Sequence, residues 1–327
     1  MSHMTYPEAA VIGLIQGVTE LFPISSLGHS VLIPALIGGS WAHDLDAAAP
    51  QSPYLAFVVG LHVATAIGLF VYFWRDWLRI IGAFFSSLRY RAVRNSDQRL
   101  AWMIVIATIP VGLVGLVADH ETRVLFAKPV LAAVFLIING VILFSAERFR
   151  TPASLAADAD LEQRRRATEG RLTRTAAAHA SGQRAVRQAE LSEAIAADER
   201  LASMGFVRST LIGTVQIFAL LAGISRDGVA MVAGMRSGLA REDAARFAFL
   251  LATPVILAAG LLELPKLTGP LGQGIHGQIL VGSILSGIGA YVSVRFLVRF
   301  FRTRTLTPFA IYCMVAGLAA AIYLSVR

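Results

Sequence analysis

Residues 13–34 read GLIQGVTELFPISSLGHSVLIP. The stretch is apolar enough to enter a bilayer, yet it carries Gln16, Glu20, Ser25, Ser26 and His29 and is interrupted at Pro23 and Gly28. A carboxylate at membrane depth is costly and marks a functional site by default. The plainer account of one such residue is a glutamate satisfied inside a buried helix turn. A second copy of the pattern weighs against that account. Adding 200 to each number gives identical pairs at Ile12/Ile212, Gly13/Gly213, Gln16/Gln216, Leu21/Leu221, Ile24/Ile224, Ser25/Ser225 and Gly28/Gly228. Helix, break, helix thus occurs twice, in corresponding halves of the chain. Paired interrupted apolar segments point to a midplane site in an inverted-repeat membrane protein.

Composition agrees with a membrane protein. Of 327 residues, 56% are hydrophobic and 15% charged, with a mean hydropathy of +0.64; soluble domains carry roughly a quarter charged residues. The net charge of +8 does not signal nucleic acid, because the arginines flank apolar spans, as the positive-inside rule asks of cytoplasmic loops. Cys313 is the sole cysteine, which excludes an internal disulfide. Glu8, Gln16 and Glu20 interrupt the first apolar segment, so no cleavable signal peptide is expected.

Taken in order, residues 38–53 read as a loop and 54–74 as a span whose only strongly polar side chain is His62. Residues 75–100 collect Arg75, Arg79, Arg89, Arg91, Arg94 and Arg99 against Asp76 and Asp97, which makes them a cytoplasmic loop. Spans are expected at 101–118 and 129–146, joined by an outward-facing connection at 119–128. Residues 148–205 change character, with ten arginines, eight acids and mostly alanine among the apolar residues. They read as a soluble cytoplasmic helical arm turning near Ser181-Gly182. Its run Arg164-Arg165-Arg166 suits either anionic headgroups or, more simply, a solvated helix face. The arm carries no site chemistry and is expected to be dispensable for activity. Three further spans follow at 244–264, 277–298 and 308–326. The expected fold is therefore an all-α integral membrane protein with an inverted-topology repeat, each half one re-entrant helical hairpin plus three transmembrane helices. The first repeat is 1–147 with its hairpin at 5–37, and the second is 206–327 with its hairpin at 206–239. Three spans per half invert the second half, put both termini outside and bring the two hairpin tips together, where irregular backbone is tolerated because it lines a cavity.

The tips carry chemistry. Gln16 and Glu20 are four apart and share one helical face. Ser25, Ser26 and His29 follow, with the second half-helix expected beyond Gly28; the equivalent break holds Ser225-Arg226-Asp227-Gly228. Helix starts at both breaks offer backbone N–H groups to an anion, and Arg226 adds a charged fork suited to phosphate oxygens. Carboxylates able to hold a hard divalent cation (Mg²⁺ or Ca²⁺), a histidine and hydroxyls together fit phosphoryl chemistry on a lipid-soluble substrate. Against this stand two blander accounts: His29 as a core or capping histidine, and Arg226 as a structural partner for Glu20 or Asp227.

QGVTELFPISSLGH resembles the first signature, typically (E/Q)GxTEFLPxSSxGH, of the bacitracin-resistance family of undecaprenyl-diphosphate phosphatases. AGISRDG resembles its second signature, PGxSRSG. Thr307-Pro308-Phe309-Ala310-Ile311-Tyr312 resembles its PFAIYR-type ending, and His62-Val63-Ala64-Thr65 a His-Leu-Gly-Thr stretch. The resemblance covers about residues 5–147 and 206–327 and leaves out the arm. It implies hydrolysis of the terminal phosphate of a polyprenyl diphosphate on the outer face of the bacterial cytoplasmic membrane, which recycles the lipid carrier of cell-wall synthesis. By the same resemblance, Glu20 holds the divalent cation or orients water, and Ser26 and His29 are nucleophile and base in an order left open. Ser225 and Arg226 grip the diphosphate beside Gln16, Ser25, Gly28 and Gly228. Gln16 stands where many members have glutamate. Ala222 replaces the proline, Asp227 the second serine, and Ala230 a common threonine. Asp227 is expected to restore the missing carboxylate by sharing the cation with Glu20, or else to neutralise Arg226. The partners expected are the membrane and the lipid diphosphate, without nucleic acid, and with a homodimer left open. Two further functions compete: a prenyl-phosphate transporter or flippase, since broken helices in inverted repeats are transporter architecture, and a non-catalytic lipid-phosphate receptor that uses the arm to recruit a partner.

Overall fold

A computed structural model describes residues 4–45, 53–126, 128–176, 182–269 and 273–326. These residues are mainly helical, with no strand among them. Among the described residues five helices are long and apolar enough to cross a membrane, and up to seven if each of two sharply bent pairs counts as one span. Their outer faces carry exposed large apolar side chains such as Leu113, Leu116, Val117, Val315 and Ile322, as a lipid-facing surface requires. The chain is a multi-pass membrane protein.

The first hairpin is α1 (Tyr6–Thr19) and α2 (Ser26–Ile37). A capping box starts α1: Thr5 accepts from the Glu8 N–H, while the Glu8 carboxylate accepts from the Thr5 backbone, satisfying two orphan donors at once. The helix ends where Pro23 removes a donor. The second half-helix begins at Ser26, earlier than expected, because Ser25 serves as its N-cap and accepts from the Gly28 N–H at 3.2 Å. The second hairpin repeats the cap with Ser225 and Gly228 at 3.1 Å, but its first arm differs. There α10 (Phe206–Thr214) gives way to a 3-10 helix, Val215–Leu220, before α11 (Arg226–Arg236).

Between and after the hairpins run α4 (Pro53–Tyr72), α6 (Ser96–Phe126), α7 (Pro129–Arg148), α12 (Arg241–Thr268), α13 (His276–Phe300) and α14 (Thr307–Val326). The arm of the first hairpin, α1, packs on α13, and its counterpart α10 packs on α6; α7 packs on α14 and α4 on both α12 and α13. Close approach is bought with glycine. Gly13 lies against the backbone of Gly282, Gly213 against that of Ala107, and Gly140 and Gly317 bring α7 and α14 together.

Four expectations need correction. The 38–53 loop contains a short helix, α3 (Gly39–Asp44). The arginine-rich loop at 75–100 is mostly helix, α5 (Trp74–Tyr90), turned 88° from α4; Trp77 and Ile80, a helical step apart, are buried and Phe84 packs beside them. The connection at 119–128 is largely absent, because α6 stays helical through Phe126. The turn expected at Ser181 lies outside the described residues, but α8 (Pro152–Ala176) and α9 (Gly182–Ser203) flank it.

The fourth correction concerns the arm, which is docked rather than free. Leu201, Ala202 and Met204 are buried, and α9 packs on α6 and α12. Asp198, fully buried, accepts from Arg79 of α5 and from Arg246 of α12, the latter at 2.9 Å. Arg79 also reaches Asp97 at 2.6 Å, and Arg246 reaches Asp76 at 3.0 Å. Arg200 donates twice to Asp243, each at 2.7 Å. In the basic run, Arg164 and Arg166 are exposed and pair with acids one turn back, whereas Arg165 turns inward to Glu242 at 2.6 Å.

Candidate active site

The two hairpin tips meet. The Ser25 hydroxyl accepts from the Gly223 N–H of the opposite tip as well as from Gly28, both at 3.2 Å. A Cβ on Gly28 would lie 2.9 Å from the Gly223 Cα, so the backbones touch with no room for a side chain. Ser25 itself has φ 70°, a left-handed value rare outside glycine. Strain of this kind collects at functional turns. Asn139 of α7 fastens both tips: its Nδ2 donates to the Pro23 carbonyl at 2.9 Å and its Oδ1 accepts from the Ser225 N–H at 3.0 Å. Asn139 is fully buried. It went unremarked in the sequence, although it interrupts the otherwise apolar run IINGVIL at 137–143.

Above the junction lies a cavity of about 310 Å³, with Glu20, Ser25, Ser26, His62, Gln216, Ser225 and Arg226 on its wall. The rest of the lining is mainly apolar, including Val31, Val58, Val59, Val111, Ile256 and Ala259. Glu20 is the hub. Its Oε1 accepts from Arg226 Nη2 at 2.7 Å, and its Oε2 accepts from Gln16 Nε2 at 2.8 Å and from the Ser26 hydroxyl. His62 Nε2 lies 3.5 Å from Oε2 and 3.3 Å from Gln16 Nε2. With the His62 Nδ1–H donating to the Val58 carbonyl at 2.8 Å, the tautomer is set by that bond. In the sequence His62 is the polar residue of a span and the first residue of a stretch resembling His-Leu-Gly-Thr, with no site role attached.

Two expected residues stand back from the cavity. His29 is buried, its Nδ1–H donating to the Ser25 carbonyl at 2.7 Å and its Nε2 accepting from the Tyr312 hydroxyl at 2.8 Å. The two rings stack with centroids 5.8 Å apart. These contacts tie the ring to the Ser25 turn and to Tyr312 of α14. Asp227 is also buried and does not line the cavity; its nearest charge is Arg226 Nε, 3.5 Å away, and neither carboxylate oxygen has a hydrogen-bond partner. Arg226 therefore sits between two carboxylates, Glu20 and Asp227.

Among the described residues no three His, Cys, Asp or Glu side chains converge as a metal site. The donor set does not fit a cation shared between Glu20 and Asp227, since Arg226 contacts both. Glu20 presents its carboxylate to the cavity, and Mg²⁺ is commonly held by one or two carboxylates plus phosphate oxygens.

The protein-family model described as Bacitracin resistance protein BacA matches residues 9–319. Undecaprenyl-diphosphatase of Mycolicibacterium paratuberculosis is 54% identical over 327 residues, which cover 100% of this chain and 99% of that protein. Undecaprenyl-diphosphatase 2 of Frankia alni is 53% identical over 334 residues, covering 97% of each chain. Undecaprenyl-diphosphatase 2 of Burkholderia lata is 40% identical over 307 residues, covering 94% of this chain and 92% of that one.

Proposed function

The chain belongs to the bacitracin resistance protein BacA family, and from that membership and the Glu20 cluster we propose that it is an integral membrane undecaprenyl-diphosphatase working by attack of Ser26. It hydrolyses a polyprenyl diphosphate to the monophosphate and inorganic phosphate, recycling the lipid carrier of cell-wall synthesis. The observation that carries the mechanism is the Ser26 hydroxyl donating to the Glu20 carboxylate on the cavity wall. Nucleophile and base in hydrogen-bond contact, with the base oriented by a third group, are the signature of an activated nucleophile; here Gln16 and Arg226 supply the orientation.

Ser26 Oγ attacks the terminal phosphorus as Glu20 takes its proton. The bond from that phosphorus to the bridging oxygen breaks, Glu20 passes the proton to that oxygen, and the lipid monophosphate leaves. The restored Glu20 carboxylate then takes a proton from water as the water attacks the phosphoserine; the phosphorus–Ser26 bond breaks, the proton returns to Ser26 Oγ, and phosphate is released. Arg226 turns part of its fork from Glu20 to the phosphate oxygens, while its Nε stays beside Asp227, 3.5 Å away. Asp227 restrains the guanidinium from behind. A divalent cation held by Glu20 and the diphosphate would neutralise charge building on the transferred group. His29 holds Ser25, and through it the tip, without touching the phosphate. The apolar lining takes the first prenyl units.

The architecture proposed is the inverted repeat, with 1–147 and 206–327 as its halves and 148–205 as a cytoplasmic arm. The exchange of partners supports it: α1 packs on α13, the middle span of the other half, as α10 packs on α6. The matched Ser25 and Ser225 caps support it too. In this arrangement the protein sits in the cytoplasmic membrane and the cavity opens to the outer face. A transporter would need Arg226 and the anion-binding tips but would have no use for a serine hydrogen-bonded to a carboxylate. The test is phosphate release from undecaprenyl diphosphate by purified protein, with and without chelator. Release that chelator suppresses is expected; no release from folded protein would overturn the assignment.

A further inference from the structure

The second hairpin holds a buried amide that the mechanism above does not use. Gln216 lies on the 3-10 helix Val215–Leu220, is 1% exposed and lines the same cavity as Glu20, Ser26 and Arg226. Neither its Oε1 nor its Nε2 has a hydrogen-bond partner among the described residues. Its counterpart Gln16 is equally buried but donates to Glu20 at 2.8 Å. Glutamine recurs at this position of both hairpins, and in only one of them is the donor satisfied by protein. An unpaired buried amide is destabilising, and an apolar side chain of similar shape would remove that penalty. Retention of such a cost is typical of functional sites, where stability is given up for binding.

We propose that Gln216 is a substrate-binding residue whose Nε2 donates to the lipid-linked phosphate of the diphosphate, the one that is not transferred. The proposal rests on the phosphatase reading. Ser26 and Arg226 each bond Glu20, and the three form one pole, for the terminal phosphate. Ala219 and Leu220, three and four residues beyond Gln216, line the cavity with apolar groups. Gln216 thus shares the cavity lining with both the polar cluster and apolar groups, and in the substrate the lipid-linked phosphate likewise lies between terminal phosphate and prenyl chain. A neutral donor suits that position. It orients the phosphate without adding the positive charge that would hold the monophosphate product.

The experiment uses the full chain with Gln216→Leu, and Gln216→Ala as a second variant that cannot overpack. The readouts are kcat and KM for undecaprenyl diphosphate, thermal midpoint, and inhibition by farnesyl monophosphate and by inorganic phosphate. Expected are an unchanged or higher midpoint, a KM raised about tenfold, as for one lost hydrogen bond to a charged group, and a kcat within a few-fold. Inhibition by farnesyl monophosphate should weaken in parallel with KM, while inhibition by inorganic phosphate stays unchanged. Unchanged KM and inhibition would mean that the amide meets only water, and would overturn the proposal. A lower midpoint with unchanged KM would make Gln216 structural and overturn it equally. Weakened inhibition by inorganic phosphate alone would overturn the placement at the lipid-linked phosphate. Should the parent protein bind farnesyl monophosphate but release no phosphate, the phosphatase reading fails, and loss of that binding in the variants still decides the role of Gln216.

Discussion

Glu20 accepts from three side chains at once, Gln16, Ser26 and Arg226, and in the proposed mechanism it is the base for Ser26. Glu20→Gln keeps the shape but removes the base, and a general base is worth about 10²-fold or more. We expect phosphate release to fall by at least about that factor while the protein remains folded by size-exclusion chromatography and circular dichroism; near-normal release would remove Glu20 from the mechanism. Much at this scale was legible in advance. A glutamate, two serines and an arginine in apolar surroundings are costly enough to announce themselves, and they do gather on one wall. What stayed hidden was the direction in which each side chain points. His29 belongs to the same motif as Ser26, yet Tyr312, far along the chain, takes its free nitrogen. Asn139 was equally out of reach, because its value lies in spanning two tips whose meeting no local pattern records. For Asp227 the motif left two places open, beside Glu20 or against Arg226, and the carboxylate lies 3.5 Å from Arg226 Nε.

At the scale of the element, the tip of the second hairpin depends on Gly223. Its φ of 113° lies where side chains are strained, and an added Cβ would stand 2.5 Å from the Ala132 carbonyl oxygen and 2.7 Å from the Leu136 nitrogen of α7. Gly223→Ala is expected to push the tip off α7 and loosen the Asn139 clamp. Activity should fall and the thermal midpoint with it, the strain alone being about 1–3 kcal/mol; thermal melts read beside phosphate release would check this. A midpoint unchanged from the parent would show that the tip tolerates displacement. The hairpins were recognisable from their matched Ile-Ser-x-x-Gly breaks. The helix α5 was not, because its arginines drew the reading toward a loop while its apolar residues at helical spacing passed unweighed. Periodicity was present in both places, and charge obscured it in one.

For the molecule as a whole, the arm is the element whose role changed most. Deleting residues 155–200 would remove Asp198, Arg165 and Arg200, leaving Asp243 without the Arg200 that pairs with it and Arg79, Arg246 and Glu242 with only their remaining partners Asp76, Asp97 and Arg302. Removing one partner of a buried pair costs about 3–5 kcal/mol, so the deletion is expected to lower the thermal midpoint and the yield of folded protein, and Asp198→Asn alone to reproduce much of the loss. A deletion variant as stable as the parent would return the arm to the dispensable status its composition suggested. Composition misled here because alanine-rich helices with balanced charge look solvated; only the partners across the interface reveal which charges face inward. Topology has its own check. Cysteines at Ser40 and Gln273, both exposed, should react with an impermeant reagent from outside, and one at Gln188, also exposed, only from the cytoplasm. Outside reaction at Gln188 would refute the proposed inversion of the halves.

The position of Asp198 in the order of synthesis has a further consequence. It leaves the ribosome after Arg79 and before Arg246, so during translation it can latch onto the first half before the second half exists. The nascent chain then waits with an acid only half neutralised, and α12 completes the latch as it inserts. A chain that stops between the two holds that acid with Arg79 and without Arg246, so the pairing of Asp198 with Arg246 marks the moment the two halves join.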